Sequence, residues 1–227
     1  MKHIKHIFFD LDHTLWDFET NSDIAFETIF KRHEVKVNLQ KFLNYYRGIN
    51  EHYWKLYRDE KITKEELRLG RLKDTFVKIN HNADLQLLER LAVDYIKVLP
   101  NNNQLFVGAH EILEHLYVNY KLHIITNGFN EVQYEKIKNS RLTKYFDKII
   151  TSEAAGVKKP NPIIFEYALA MTKASSTESI MIGDNWEADI MGAKDAGLDV
   201  IFCNYNAQPV SENIKSITNL IEIKRYL

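Results

Sequence analysis

The chain has 227 residues, which is enough for one large domain or two small ones with a substantial hydrophobic core. Apolar residues make up 45% and charged residues 27%, and the formal net charge of −1 gives no global field that would recruit nucleic acid or an anionic membrane. Cys203 is the only cysteine, which excludes an intrachain disulfide. With no signal peptide or transmembrane segment in the sequence, we expect a cytoplasmic protein that binds neither a nucleic acid polymer nor a membrane.

A short apolar run near the N-terminus leads into two carboxylates. Residues 7–9 fit a strand that is buried on both faces, and Asp10 marks its carboxyl end because Asp is a poor strand former. Ligands bind at that end of the strands in open α/β sheets. Asp12 follows two residues later, and two acids so close repel each other unless a cation or a proton lies between them. Taken alone, the pair also fits a strand followed by an Asx turn.

Residues 20–97 carry little strand signal and strong helical periodicity. Asn21 or Ser22 can cap a first helix, Asn38 can cap a second, and Thr63 with Glu66 fits the capping box of a third. A fourth helix would bury the apolar residues between positions 87 and 95. Four helices with short connections indicate a small bundle, to which we assign residues 16–99.

From residue 100 onward, apolar strand candidates alternate with helices. The predicted strands are residues 122–125, 148–150, 179–182 and 200–202, and the predicted helices lie near residues 109–118, 131–139, 162–171 and 187–196. Such alternation indicates a parallel sheet with helices on both faces, and the strand at residues 4–9 must join it. We therefore predict the α/β class, with a Rossmann-like core made of residues 1–15 and 100–227. The helical bundle is an insertion after the first strand.

Three further groups of polar residues follow predicted strands. Thr126 and Asn127 offer a hydroxyl and backbone N–H groups suited to an anionic oxygen, although Asn-Gly is also an ordinary turn. Lys159 could direct an ammonium into a site or remain in solvent before the next helix. Asp184 is a hard oxygen ligand appropriate for Mg²⁺, or it only caps the helix whose first turns hold Asp189.

The combination and order of these four groups resemble the haloacid dehalogenase-like hydrolase superfamily. The pattern reads Asp-x-Asp-x-Thr, then Thr, then Lys-Pro, then Gly-Asp-x-x-x-x-Asp, and it spans residues 4 to about 202. The resemblance implies that the inserted bundle is a cap, that Mg²⁺ is the cofactor, and that the substrate is a small phosphorylated metabolite. A monomer or a small homo-oligomer is expected.

The resemblance also implies a role for each core residue. Asp10 would be the nucleophile that accepts the phosphoryl group, and Asp12 would protonate the departing oxygen and then activate water. Thr126 would hydrogen-bond the phosphoryl oxygens, and Asn127 and Lys159 would also bind the substrate. The true dehalogenases resemble this chain but lack the second Asp, because a halide leaving group needs no proton. Asp12 therefore favours phosphate chemistry over dehalogenation.

A metal site is implied by the same resemblance. The carboxylates of Asp10 and Asp184 and the backbone carbonyl of Asp12 would hold Mg²⁺, while Asp189 would orient Lys159 or a metal-bound water. A carboxylate that attacks a phosphate dianion faces repulsion of roughly 4 kcal/mol for each pair of unit charges at about 4 Å and an effective dielectric near 20. Mg²⁺ and Lys159 together would reverse the sign of that term.

Residues 10–18 resemble the pyrimidine 5′-nucleotidases that remove noncanonical nucleotides, which implies a nucleoside 5′-monophosphate substrate. Trp16 and Phe18 could stack on a base, although aromatic packing at a domain junction is the commoner role of such residues. Within the cap, Trp54 is a further candidate substrate contact.

Gly70 is an unusual residue inside a predicted helix, where it costs roughly 1 kcal/mol relative to Ala. A break at Gly70 could direct Arg71 toward the substrate, whereas helical periodicity alone places Arg71 on a solvated face.

Three alternatives to a nucleotidase remain open at this point. The chain could be a phosphatase for a sugar phosphate, phosphoglycolate or an acyl-sugar phosphate. It could be a phosphoglucomutase-like transferase, which is disfavoured because hydrolysis is the commoner outcome of this pattern. A binding protein without catalysis is opposed by the presence of every expected catalytic group.

Overall fold

The computed structural model describes residue 1, residues 3–211 and residues 213–227. Within those residues the chain divides into two compact units. The α/β unit consists of Met1–Phe18 with Asn103–Leu227, and the helical unit consists of Glu19–Asn102. Among the described helices, none combines the length and the apolar character that a membrane span requires.

A six-stranded parallel sheet forms the α/β unit. Its strands are β1 (His6–Phe9), β2 (Lys121–Thr126), β3 (Phe146–Thr151), β4 (Ser179–Gly183), β5 (Asp199–Cys203) and β6 (Lys215–Ile217). They lie in the order β3-β2-β1-β4-β5-β6, and every neighbouring pair is parallel. The predicted α/β class with a Rossmann-like parallel core is confirmed. The short β6 was not predicted.

The strand order places the carboxyl ends of three strands side by side. Phe9, the last residue of β1, pairs with Ile124 of β2 and Ile182 of β4. The chain runs outward from β1 to β3 and then crosses to β4 on the other side of β1. Ligand crevices of parallel sheets form at such a reversal, so residues that follow β1, β2 and β4 share one edge.

The helical unit is built from α1 (Phe18–Arg32), whose first residue belongs to the α/β unit, α2 (Leu39–Arg58), α3 (Lys64–Lys78) and α4 (Leu85–Val98). The predicted caps of α2 and α3 are confirmed, since Asn38 accepts from the backbone N–H of Lys41, and Thr63 forms a capping box with Glu66. At the start of each helix, the side chain of the cap residue thus satisfies a backbone N–H group that would otherwise be unpaired.

The predicted start of the first helix was wrong. That helix begins at Phe18, so Asn21 and Ser22 lie inside it rather than at its cap. Both are buried, and the hydroxyl oxygen of Ser22 lies 2.8 Å from that of Tyr95. A tertiary hydrogen bond on a buried helix face thus replaces the local cap that the sequence suggested.

Arg71 lies in the core of the helical unit. Its side chain is 2% exposed, one guanidinium nitrogen donates to Asn50 Oδ1 at 2.8 Å, and its guanidinium carbon lies 5.0 Å from the ring centroid of Tyr95. The solvated face predicted from periodicity is therefore wrong. The alternative, a break at Gly70 that directs Arg71 toward the substrate, is not found, because α3 runs unbroken through this position. A Cβ at position 70 would overlap the ring of Tyr53, which accounts for the glycine.

The α/β unit is completed by α5 (Ala109–Leu116), α6 (Asn130–Asn139), α7 (Ser152–Ala155), α8 (Pro162–Thr172) and α9 (Gly192–Asp195). Residues 187–196, predicted as one helix, instead form a π-helical turn at Trp186–Met191 followed by α9. The side chain of Asn185 caps this turn by accepting from the backbone N–H of Ala188 at 2.8 Å. The sheet, α8 and α9 enclose a hydrophobic core that includes Phe8, Phe165 and Met181.

Candidate active site

Asp10 and Lys159 form the centre of the site. Asp10 directly follows β1, and its backbone N–H donates to the carbonyl of Ile182 at 2.9 Å, which continues the pairing with β4. Lys159 lies in the loop between α7 and α8. The Asn127 side chain holds that loop, because its Oδ1 accepts from the Lys159 N–H at 2.8 Å and its Nδ2 donates to the Lys159 carbonyl at 3.0 Å. Asn127 therefore positions Lys159 through the backbone.

The Lys159 ammonium is saturated by three acceptors. It donates to Asp10 Oδ1 at 2.7 Å, to Asp189 Oδ1 at 2.6 Å and to the carbonyl oxygen of Ile125 at 2.7 Å. An ammonium has three N–H donors, so all of them are used. With Lys159 only 2% exposed, this geometry is a fixed buried charge rather than a solvated lysine.

Three carboxylates meet around this single ammonium. One carboxylate oxygen from each of Asp10, Asp184 and Asp189 lies within 4.8 Å of the others. The opposite oxygen of Asp189 accepts from the Asn185 N–H at 3.0 Å, and Asp184 Oδ1 accepts from the Thr14 hydroxyl at 3.1 Å. If all three acids are ionised, the cluster carries two more negative charges than Lys159 neutralises.

Burial and mutual repulsion shift the ionisation of these groups. Burial raises the pKa of Asp10 well above its usual range, Lys159 opposes the shift, and the charges of Asp189 and Asp184 add to it. Burial and the charge of Asp189 raise the pKa of Asp184 to about 8. Burial alone would lower the pKa of Lys159, but the Asp10 and Asp189 carboxylates outweigh it and raise that pKa.

This excess of negative charge fits a divalent cation. Carboxylate and carbonyl oxygens are the ligands that Mg²⁺ prefers, and a charge of +2 would match the two uncompensated negative charges. Asp189 has both oxygens engaged by Lys159 and Asn185. Within the described part of the chain, Asp10 and Asp184 each keep one oxygen that accepts no hydrogen bond from another side chain. Asp10 and Asp184 are therefore suited to bind the Mg²⁺ ion that the sequence predicts.

Asp12 and Thr126 form a second group next to the first. Asp12 Oδ1 accepts from the Lys136 ammonium at 2.6 Å, and Asp12 Oδ2 accepts from the Gln133 amide at 3.0 Å. The same Gln133 nitrogen donates to the Thr126 hydroxyl oxygen at 2.6 Å. Sequence reasoning missed Gln133 and Lys136, although both are buried polar residues of α6.

A signal for these two residues was present in the sequence. Val132 and Ile137 mark the buried face of α6, and Gln133 and Lys136 occupy helical positions on that same face. Long polar side chains at core-facing positions are rarely buried without a specific partner. Their spacing of three residues brings both to one side of the helix.

The structure brings together the core residues predicted from the sequence, and two of the aromatic candidates lie beside them against Lys136. The six core residues, Asp10, Asp12, Thr126, Lys159, Asp184 and Asp189, all belong to the α/β unit. Trp16 is fully buried and Phe18 nearly so, and their rings lie beneath the Lys136 ammonium at 4.1 Å and 5.3 Å. In this structure the two rings hold Lys136 rather than offering an open surface to a base. Trp54 and Arg71 lie in the helical unit, and their roles stay predictions.

The comparisons with known proteins agree with this geometry. Residues 7–203 match the family model described as haloacid dehalogenase-like hydrolase. The HAD-hydrolase YfnB of Bacillus subtilis is 30% identical over 226 residues, covering 99% of this chain and 93% of the relative. A magnesium-bound crystal structure of YfnB superposes with a TM-score of 0.88 at 27% identity, covering 98% of this chain and 97% of that one.

Two further relatives are named as pyrimidine 5′-nucleotidases. PynA of Streptococcus pneumoniae is 33% identical over 202 residues, which is 88% of this chain and 84% of PynA. YjjG of Escherichia coli is 30% identical over 225 residues, which is 97% of this chain and 96% of YjjG.

A glyceraldehyde 3-phosphate phosphatase of Pyrococcus abyssi is 28% identical, covering 89% of this chain and 82% of that enzyme. The L-2-haloacid dehalogenase Rha0230, with a TM-score of 0.79 at 17% identity and 99% and 95% coverage, shares the fold alone.

Proposed function

Because the chain belongs to the haloacid dehalogenase-like hydrolase family, we propose that it is a Mg²⁺-dependent phosphatase that hydrolyses small phosphate monoesters through an aspartyl-phosphate on Asp10. Pyrimidine nucleoside 5′-monophosphates are the proposed substrates. One observation carries this proposal. A buried carboxylate at the end of the central strand is held by a buried lysine and followed two residues later by a second carboxylate with donors of its own.

The first step transfers the phosphoryl group from the substrate to Asp10. An Asp10 oxygen forms a bond to phosphorus while the bond from phosphorus to the ester oxygen breaks. Asp12, in its protonated form, gives its proton to that oxygen, which leaves as an alcohol. Thr126 donates to a phosphoryl oxygen, and Lys159 binds another by exchanging its hydrogen bond to Asp10 for one to the phosphoryl group. The Lys159 charge reduces the repulsion between the nucleophile and the phosphate.

The second step returns the enzyme to its starting state. Asp12, now a carboxylate, takes a proton from water as the water oxygen attacks phosphorus. The bond between Asp10 and phosphorus breaks, and inorganic phosphate leaves. Asp12 thus serves as acid and then as base within one turnover, which a dehalogenase does not require.

The proposed metal ligands are the Asp10 and Asp184 carboxylates and the Asp12 backbone carbonyl. When bound there, Mg²⁺ would supply positive charge that offsets the repulsion among the carboxylates and the phosphate. Asp189 remains bound to Lys159 and the Asn185 N–H, and therefore orients the lysine.

The substrate class is supported by the two nucleotidase relatives. We assign the helical unit the role of a cap that supplies selectivity, with Trp54 and Arg71 as candidate contacts, and we place the enzyme's action on small phosphorylated metabolites in the cytoplasm. The relative named as a glyceraldehyde 3-phosphate phosphatase favours a sugar phosphate as the second candidate substrate class.

A phosphate-release screen tests the proposal. Purified protein is assayed with Mg²⁺ against pyrimidine and purine nucleoside monophosphates, triose and hexose phosphates, phosphoglycolate and p-nitrophenyl phosphate. We expect the highest kcat/KM with a pyrimidine nucleoside 5′-monophosphate and no activity in excess EDTA. Asp10→Asn, prepared in parallel, reveals any contaminating phosphatase.

The possible outcomes separate the parts of the proposal. A clear preference for a sugar phosphate would overturn the nucleotide assignment and keep the phosphatase. Full turnover in EDTA with negligible metal content would overturn the metal requirement. No phosphate release from any substrate by a folded, Mg²⁺-supplied protein would contradict the phosphatase itself.

A further inference from the structure

We infer that Gln133 and Lys136 are positioning residues that hold the acid–base group Asp12 and the phosphate-binding hydroxyl of Thr126 in one fixed arrangement. This inference rests on the proposed function, because it concerns how two side chains outside the family motifs prepare the same site. It assigns both residues a task in catalysis without any contact to the substrate.

Asp12 is held at both carboxylate oxygens. Lys136 donates to Oδ1 at 2.6 Å and Gln133 donates to Oδ2 at 3.0 Å, so rotation of the carboxylate would break at least one of these bonds. Each carboxylate oxygen has two lone pairs, and the two hydrogen bonds leave one lone pair on each oxygen for proton transfer. The orientation is thus fixed while the acid–base capacity is kept.

Lys136 is itself fixed by its surroundings. It is 2% exposed, and its ammonium lies 4.1 Å from the ring centroid of Trp16 and 5.3 Å from that of Phe18. A cation within about 6 Å of an aromatic face is attracted by the ring, and the attraction grows when water is excluded. The aromatic pair therefore keeps the ammonium beside Asp12, which accounts for the burial of these two large rings.

Gln133 joins Asp12 to Thr126. Its amide nitrogen lies 2.6 Å from the Thr126 hydroxyl oxygen, which also accepts from the Gly128 N–H at 3.1 Å. A hydroxyl has two lone pairs, so both are occupied and its proton can only be donated to a further acceptor. A phosphoryl oxygen is the acceptor that the proposed reaction supplies.

Close packing around Gln133 holds its amide in that arrangement. Gln133 is fully buried, and a Cβ at position 128 would lie 2.9 Å from Gln133 Cγ and overlap its amide. Gly128 therefore lets the Gln133 amide lie directly against the Thr126 turn. Because Gln133 and Lys136 are one turn apart on α6, the helix sets the distance between the acid and the phosphate donor.

The test uses Lys136→Met and Gln133→Met in the 227-residue enzyme. Met keeps an apolar stem against the buried surroundings, and it removes the donor in each case. Lys138→Met is the matched control, because Lys138 lies on the same helix with a side chain 70% exposed. Turnover of a pyrimidine nucleoside 5′-monophosphate is compared with the first-turnover burst of p-nitrophenol from p-nitrophenyl phosphate, whose leaving group needs no proton.

We expect Lys136→Met to lower kcat for the nucleotide about 10²-fold, within the range typical of acid–base catalysis, while the burst rate falls less than about threefold. Gln133→Met should also raise KM for both substrates, because Thr126 loses its second donor. Lys136→Met combined with Asp12→Asn should cost no more than Asp12→Asn alone. The inference would be overturned if Lys136→Met lowered kcat for the nucleotide and the p-nitrophenol burst rate equally, or if the losses of Lys136→Met and Asp12→Asn multiplied in the double variant.

A crystal structure of Lys136→Met provides a readout that needs no activity. The inference predicts that the Asp12 carboxylate leaves its position while Asp10 and Lys159 stay in place. An unmoved Asp12 in that structure would contradict positioning by Lys136. Should Lys136→Met not fold, Lys136→Arg takes its place in both measurements, with a displaced Asp12 and a smaller loss of the same selectivity expected. If the wild-type enzyme were inactive, the proposed function would be contradicted. The position of Asp12 in the variant structure would then decide whether Lys136 positions it.

Discussion

The ammonium nitrogen of Lys159 lies 2.7 Å from Asp10 Oδ1, and both side chains are buried. Two long-range features of the fold create this contact, since Asp10 follows β1 and Lys159 precedes α8. A buried ion pair contributes little net stability, but removal of one partner leaves an uncompensated charge. Under the proposed function, one contact therefore serves both catalysis and folding.

Lys159→Met should affect both properties. We expect a loss of about 3–5 kcal/mol in the free energy of unfolding, because Asp10 and Asp189 lose their shared cation. We expect kcat to fall by at least about 10²-fold, because the phosphoryl oxygens lose a fixed positive charge. Urea unfolding and steady-state kinetics measure the two effects. Lys158→Met, one residue earlier, is the control and should retain nearly full activity, so equal effects of both changes would contradict the assignment of Lys159.

A buried histidine pair at the opposite end of the sheet should make stability depend on pH. His6 Nδ1 and His123 Nε2 lie 3.0 Å apart, and burial with a smaller contribution from the His6 charge lowers the pKa of His123 to about 4. Burial also lowers the pKa of His6. At these two histidines the unfolded chain therefore binds more protons than the folded one below the ordinary histidine pKa of about 6.5, so the contribution of the pair to stability falls as pH falls through this window. The raised pKa values of Asp10 and Asp184 act in the opposite direction, so the pair is measured by comparing the wild type with a variant that lacks it.

For His123 alone the expected loss between pH 6.5 and pH 5 is about 1.6 kcal/mol. Urea unfolding of the wild type and of His123→Phe across this range measures it, because the variant should lack this part of the pH dependence while its Phe ring packs against Phe8. The exposed His115 provides the control, and His115→Gln should keep the wild-type slope. An unchanged slope in His123→Phe would show that other groups determine the acid sensitivity.

Replacement by alanine should change the free energy of unfolding in opposite directions at two helical glycines, Gly48 and Gly70. A Cβ at Gly70 would lie 2.7 Å from the Tyr53 hydroxyl oxygen and 2.8 Å from Cζ, whereas a Cβ at Gly48 would meet nothing within 4 Å. Gly48→Ala should stabilise by about 1 kcal/mol through helix propensity. Gly70→Ala should destabilise by about 1–2 kcal/mol, because Tyr53 must move and lose its hydrogen bond to Asp74. Thermal unfolding of both variants tests these two effects. Stabilisation by Gly70→Ala would contradict the predicted clash with Tyr53.

Arg71 offers a test of selectivity in the helical unit. Arg71→Ala should raise KM for pyrimidine nucleoside 5′-monophosphates about tenfold to a hundredfold, the value of a lost charged hydrogen bond, with a smaller effect on p-nitrophenyl phosphate. Since Arg71 is buried against Tyr95 and bonded to Asn50, unfolding must be measured alongside kinetics. Reduced stability with unchanged KM for both substrates would make Arg71 a structural residue.

The residues at strand ends could be predicted from the sequence because their signals are local. An apolar run that ends in Asp10 or in Asp184 identifies both a strand and its carboxyl end, and parallel strands bring such ends together. The caps Asn38 and Thr63 were likewise predictable, since each depends on residues within three positions. These features need no knowledge of the tertiary structure.

The features that were missed depend on contacts distant in sequence. The burial of Lys136 depends on Asp12 and the two rings beside it, which lie more than a hundred residues earlier. Ser22 is buried in a helix because of Tyr95 rather than by its own propensity, and Gly70 is required by Tyr53. Strand β6 is three residues long and has one buried side chain, too weak a pattern to be recognised.

The central claim, transfer of the phosphoryl group to Asp10, can be tested by acid-quenching the enzyme during turnover and locating the modification by peptide mass spectrometry. The account predicts the added mass of one phosphoryl group on the peptide that contains Asp10, formed with Mg²⁺ and substrate, absent in EDTA and absent in Asp10→Asn. A phosphoryl group on another residue, or Asp10→Asn that turns over at the wild-type rate in a preparation free of other phosphatases, would contradict it.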